Sequence, residues 1–171
     1  MRCAPLAIPQ MDRETLARVS RQSSQITHAD PRCTYGCAVL NWTIAALLDN
    51  ETNPLETALE GLRSEAPSEL VTALEAITMG ESPTLLQTSG YVIHTLQTAL
   101  HDALTTDSAE EAIVTAVNRG GDTDTVGAVT GAVAGARFGA ESLPDRWLAS
   151  IDDTAELREL ATELTDVRID R

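Results

Sequence analysis

Four glycines, Gly127, Gly131, Gly135 and Gly139, recur at every fourth position, and Ala128, Ala132 and Ala136 form a parallel row beside them. Residues four apart share one face of an α-helix. The stretch therefore predicts a helix with a strip almost bare of side chains. A glycine inside a helix costs about 1 kcal/mol relative to alanine, so something must offset four of them. Close approach of neighbouring helices is the expected compensation, and it would fix whatever stands at the helix start. Taken alone, such a stripe signals packing more than function.

What stands there is Gly120-Gly121-Asp122-Thr123-Asp124-Thr125. Two glycines permit positive φ and hence a sharp turn between helices. Two carboxylates then lie one residue apart, followed by a hydroxyl. Such oxygens are the ligands that hard cations such as Mg²⁺ or Mn²⁺ take. No basic residue lies within the segment, although Arg119 flanks it. Crowded carboxylates repel, and a cation relieves that cost. A plainer reading stands beside this one: Asp and Thr before a helix cap it and suit the positive end of its dipole.

The rest of the chain repeats the helical period. Aromatics make up only 3% of the residues, and alternating runs are scarce, so a sheet is not expected. The pattern predicts helices over 12–25, 32–48, 55–63, 67–79 and 91–104, then one opened by a Ser108/Glu111 capping box, the glycine helix to Gly139, a short turn at Trp147, and a last amphipathic helix over 154–164. Breaks are expected at Pro31, over Asp49 to Pro54, and over Gly80 to Pro83. Ala38, Trp42, Ala45 and Ala46 are expected to face inward. At 171 residues and 43% hydrophobic content, the chain reads as one all-α domain spanning 1–171.

Charge narrows the partners. There are 26 acidic and 12 basic residues, a net −14. Every basic residue except histidine is arginine. So acidic a surface repels nucleic-acid phosphates and anionic membranes, and neither is an expected partner. The apolar content argues against disorder, which leaves adaptation to high salt as the expected meaning of the charge. The longest apolar or small-residue run near the middle of the chain, Val126 to Ala136, which includes Thr130, is too short to span a bilayer, and no secretory signal is evident. Cys3, Cys33 and Cys37 make an odd count, so a reducing cytoplasm is expected. With Cys33 and Cys37 one helical turn apart, the thiols read as small, buried and inert.

The whole string from Gly120 to Gly139, GGDTDTVGAVTGAVAGARFG, resembles the signature of the ADP-ribosylglycohydrolase family, which includes dinitrogenase-reductase-activating glycohydrolases and ADP-ribosyl-acceptor hydrolases. Other segments are similar to it too. Met1-Arg2-Cys3-Ala4-Pro5 resembles the part after the family's phosphate loop, and Thr27-His28-Ala29-Asp30-Pro31 its T-H-x-x-P turn. Ser89-Gly90-Tyr91-Val92 resembles the helix before the signature, and Leu143-Pro144 with Trp147-Leu148 its exit.

The resemblance implies a compact orthogonal multi-helix fold and a two-metal magnesium or manganese cluster with Asp122, Asp124 and Thr125 as ligands. It implies His28 near the distal ribose, and Gly90, Tyr91 and Gly121 beside a bound nucleotide. His28 also reads as a hydrogen-bonded turn residue, and Tyr91 as a helix-start core aromatic. His94 and His101 read as ordinary helix-face residues. The implied substrate is an ADP-ribosylated protein or a small ADP-ribose derivative.

The chain also departs from the family. The G-D-A-x-G helix, the T-D-D metal motif and the phosphate loop of the family's N-terminal half do not occur here. The expectation is thus the C-terminal part of the family's single domain, with the general base in the missing half. A complementing N-terminal chain would complete it. The alternative is a non-catalytic ADP-ribose or metal-binding module, or a structural remnant.

Overall fold

Helix starts follow local chemistry. The computed structural model describes residues 1–80 and 86–169. The Asp12 carboxylate accepts the Thr15 amide at 2.8 Å and opens α1, Arg13–Gln25. Asp30 is held extended by the following proline. It accepts the Arg32 amide at 2.9 Å and opens α2, Pro31–Leu48. Proline at the first helical position has no amide to leave unpaired, which suits both Pro31 and the start of α3, Pro54–Leu62. Then come α4, Ser68–Thr78, and α5, Val92–Thr105. Ser108 Oγ accepts the Glu111 amide at 3.1 Å, and the Glu111 carboxylate reaches back to the Asp107 amide at 3.2 Å. That reciprocal cap opens α6, Ala109–Asn118. The series ends with α7, Thr123–Phe138, the single turn α8, Asp145–Leu148, and α9, Thr154–Asp166. Among the described residues there is no strand beyond one isolated bridge, so the all-α expectation holds.

Asn50, with φ of +58, shapes the turn after α2. Of the break expected over Gly80 to Pro83, Gly80 has φ of +70, and residues 81–83 lie outside the described residues.

Helix α2 is the axis of the molecule. It packs against α1, α3, α5 and α7, and Ala38, Val39 and Ala46 have no exposure at all. A helix so enclosed must be apolar on nearly every side, and its sequence is. Ala45 is buried as expected. Trp42 is only half-buried, its ring lying where a Cβ on Gly61 would have to go. Leu16, Leu70, Leu74, Leu100, Val126 and Val133 complete the centre of the core.

The glycine stripe packs differently from the expectation. The buried face of α7 is Val126, Val129, Thr130, Val133 and Ala134. The stripe lies to one side of it, towards α6. A Cβ on Gly127 would sit 3.0 Å from a Val117 methyl, and one on Gly131 would sit 3.7 Å from Ile113, whereas Gly135 and Gly139 have nothing within 4 Å. Close approach therefore accounts for one glycine and touches a second. Gly139 serves otherwise, since its φ of +83 ends the helix.

The last helix is amphipathic but uncovered. No residue of α9 is buried, and Leu157 and Leu160 stand 56% and 48% exposed. Its far end is pinned to the start of the chain. The Gln10 amide donates to the Val167 carbonyl at 2.9 Å, and the Ile169 amide donates to the Gln10 carbonyl at 3.1 Å.

Candidate functional site

The turn between α6 and α7 needs both its glycines in the left-handed region, with φ of +79 at Gly120 and +72 at Gly121. Gly121 also lies so close to Thr88 that a Cβ would run into its carbonyl oxygen. The next amide, Asp122 N–H, donates to that same carbonyl at 2.7 Å. The loop leading into α5 is thereby stitched to the acidic turn.

Asp122 holds the N-cap position of α7, yet its carboxylate accepts no amide of the helix. Instead it stands beside Gly90, where a Cβ would come within 3.4 Å of its Oδ2. Its neighbour Asp124 is exposed. A hydrogen-bonding contact with Asp122, then the Thr125 amide, hold the Asp124 carboxyl below the ordinary carboxylate range. Two carboxylates in contact are a charge concentration that a cation relieves. Arg119, the flanking basic residue, is committed elsewhere. It grips Asp102 with both arms, Nε to Oδ2 at 2.7 Å and Nη2 to Oδ1 at 2.6 Å. Asp102 is 1% exposed and also meets His101 Nδ1 at 3.0 Å.

In front of the turn is a cavity of about 780 Å³. His28, Gly90, Tyr91, Asp122 and Thr125 all line it, so residues far apart in sequence meet around one cavity. Asp124 and Gly121 do not line it: Asp124 stands outside on the exposed start of α7, and Gly121 lies behind, against Thr88. His28 is an exposed turn residue with Nδ1 3.0 Å from Thr27 Oγ1, and its carbonyl accepts Ser24 Oγ at 3.0 Å. It therefore belongs to a hydrogen-bonded turn and also lines the cavity. Tyr91 likewise sits at the start of α5 and on the wall. Its hydroxyl donates to Glu69 at 2.8 Å and accepts from Arg32 Nη1 at 3.2 Å. The Glu69 contact raises the Tyr91 pKa. Arg32 in turn clasps Asp30 and holds its carboxyl at about 2.

Arg32, Cys3, Cys33 and Cys37 also line the cavity, and sequence reasoning did not place them there. Arg32 reads as an ordinary first-turn residue next to a capping aspartate. The cysteines read as inert core. Cys3 is buried, but Cys33 and Cys37 are only half-buried, which corrects that expectation for two of the three. His94 bonds Ser89 Oγ at 2.8 Å, as a helix-face residue would.

Can these residues hold a divalent ion? Among the described residues, no group of three His, Cys, Asp or Glu is arranged to do so. The acidic turn supplies two carboxylates and a hydroxyl from a single side. That donor chemistry fits part of the shell of a hard cation.

The whole chain, residues 1–171, matches the model of the ADP-ribosylglycohydrolase family. It is 31% identical over 157 residues to ADP-ribosyl-(dinitrogen reductase) glycohydrolase of Rhodospirillum rubrum, covering 91% of this chain and 50% of that protein. It is 29% identical over 167 residues to ADP-ribosylarginine hydrolase Tri1 of Serratia proteamaculans, covering 96% of this chain and 44% of that protein. A solved structure described as an ADP-ribosylglycohydrolase-related protein complex superposes with a TM-score of 0.82 at 30% identity, over 96% of this chain and 57% of that one. The chain thus spans about half the length of the curated relatives it matches. The match runs from end to end and takes in the acidic turn, the His28 turn and the Tyr91 helix start: the chain belongs to the ADP-ribosylglycohydrolase family.

Proposed function

We propose that this chain is the part of an ADP-ribosyl hydrolase that carries the ribose wall and one side of a Mg²⁺ or Mn²⁺ site. The reaction is hydrolysis of the glycosidic bond joining ADP-ribose to an acceptor, on a protein or on a small ADP-ribose derivative. The observation that carries this is the position of Asp122. A carboxylate at a helix N-cap normally accepts a first-turn amide; this one is turned to a cavity shared with His28, Gly90 and Tyr91. The relatives named above, whose names describe hydrolases of ADP-ribosyl bonds, support the same reading.

The residues have separable roles. Asp122, Asp124 and Thr125 would hold the cation, which when bound supplies Lewis-acid stabilisation of charge at the ribose. His28 has Nδ1 engaged by Thr27, which leaves Nε2 for a ribose hydroxyl. Tyr91 offers a flat ring whose hydroxyl is tethered on both sides, so its orientation is set before any ligand arrives. Gly90 keeps the space beside Asp122 open. The rest of the metal shell and the general base come from a further portion, either joined to this one or supplied by a complementing chain. A second reading, a non-catalytic module that binds ADP-ribose or metal, draws on the one-sidedness of the donor set.

Calorimetry with ADP-ribose, with and without Mn²⁺, tests the proposal. Metal-dependent binding is expected, with little release of ADP-ribose from a modified substrate by the 171-residue chain alone. Asp122→Asn should weaken Mn²⁺ binding by about tenfold or more and leave the melting temperature nearly unchanged. If Asp122 were a helix cap, the same substitution would cost about 1 kcal/mol of stability and leave metal binding as it was. Absence of binding under both conditions would overturn the reading. Robust turnover would overturn the need for a second portion.

A further inference from the structure

Three thiols converge on the cavity wall, and the function proposed above uses none of them. Cys3 stands at the head of the 3-10 turn Ala4–Ala7, which packs on α2. Cys33 and Cys37 lie one turn apart on α2 itself. All three line the cavity. They are not equivalent. The Cys3 and Cys37 side chains interact with each other across the packing of the 3-10 turn on α2, while Cys33 has only a charge interaction with Cys37. Cys3 is 4% exposed, whereas Cys37 is half-buried and reachable from the cavity.

We propose that Cys3 and Cys37 form a peroxide-reactive dithiol on the cavity wall, with Cys37 as the attacking sulfur and Cys3 as the resolving one. Two partners in contact on separate elements, one reachable and one sheltered, are what reversible disulfide formation requires. The electrostatics agree with the assignment. The interaction with Cys3, more than any other contact, lowers Cys37 to about 6 against the opposing effect of burial. Cys3 itself is raised by the same contact and by burial, so it keeps its proton and acts as the donor. Burial raises Cys33 as well.

The chemistry balances with a peroxide as oxidant. The Cys37 thiolate attacks one peroxide oxygen. The O–O bond breaks, the far oxygen leaves as hydroxide or alkoxide and takes a proton from water, and Cys37 becomes a sulfenic acid. Cys3 then loses its proton to solvent and its sulfur attacks Cys37 Sγ. The S–O bond breaks, hydroxide leaves and is protonated, and an intramolecular disulfide remains. Two electrons pass from the thiol pair to the peroxide. An external thiol or dithiol reverses the step by exchange. Because Cys37 lies on the wall, a ligand filling the cavity screens it from the oxidant.

The test is peptide mapping of the reduced, folded chain after brief exposure to hydrogen peroxide, under non-reducing conditions with tandem mass spectrometry. A Cys3–Cys37 linkage is expected, and it should persist in Cys33→Ser. In Cys3→Ala, oxidation should stop at a sulfenic acid on Cys37 that dimedone captures. Without a variant, iodoacetamide at pH 7 should alkylate Cys37 about tenfold faster than Cys33. A linkage through Cys33, a disulfide between molecules only, or dimedone capture first at Cys33 would overturn the proposal. None of these readouts requires ADP-ribose or metal, so failure here leaves the functional reading standing, and the reverse is equally true.

Discussion

A single methyl group distinguishes the glycines of this chain. At Gly121 it would meet the Thr88 carbonyl and force a side chain into φ of +72. Gly121→Ala should therefore lose about 3 kcal/mol from strain and overlap together. At Gly135, helical and with nothing within 4 Å, the same change should gain about 1 kcal/mol. Urea midpoints of the two variants check both signs. The need for glycine at 120 and 121 is legible in sequence, because a Gly-Gly pair between helical periods is a turn signal. Thr88 is not, since 33 residues separate it from Gly121 and no local rule pairs them. Asp122 shows the same limit. Its residue type allows a cap or a metal ligand, and only the neighbouring loop decides which way it turns.

Elements are most legible where their ends are set by their own side chains. Asp12, Asp30 and Ser108 each bond an amide within three residues, so those helix starts can be read from local spacing. What covers a helix is much less so. The apolar face of α9 predicts burial, yet Leu157 and Leu160 face outward, because periodicity marks a face without saying what lies against it. The glycine stripe misleads in the same way, with α6 close only at its beginning. Between α5 and α6 the fold relies on a contact that has no signature: the Asp102–Arg119 pair. Losing one member leaves a buried charge uncompensated. Arg119→Leu should cost about 3–5 kcal/mol, and Asp102→Leu combined with Arg119→Leu should cost less than that single change. Thermal melts of the two variants measure the difference, and equal losses in the single and the double variant would refute it.

For the molecule as a whole, charge is the property most easily read and least tied to the site. The net −14 makes the folded state repel itself, and exposed ion pairs such as Arg158–Glu141 and Arg21–Glu65 offset little of it. Raising KCl from about 0.1 M to about 1 M shortens the screening length from about 10 Å to about 3 Å. The melting temperature should rise over that range. A fall would mean that the ion pairs outweigh the repulsion. Among the described residues no helix is long and apolar enough to cross a membrane. The cavity is the part of the molecule that the sequence could least disclose. His28, Tyr91 and Asp122 could be named singly, but their meeting, and the arrival of Cys37 beside them, depends on how α2, α5 and α7 cross.

The pairing of residue 10 with the tail gives the chain an unusual mechanical circuit. Gln10 is held on both backbone sides by residues 167 and 169, and it lies seven residues beyond Cys3 on the cavity wall. A helix that buries nothing is thus moored at its far end to the strip that leads into that wall. Tension applied to the tail would be felt at the cavity through this mooring and the buried turn that carries Cys3 and Ala7.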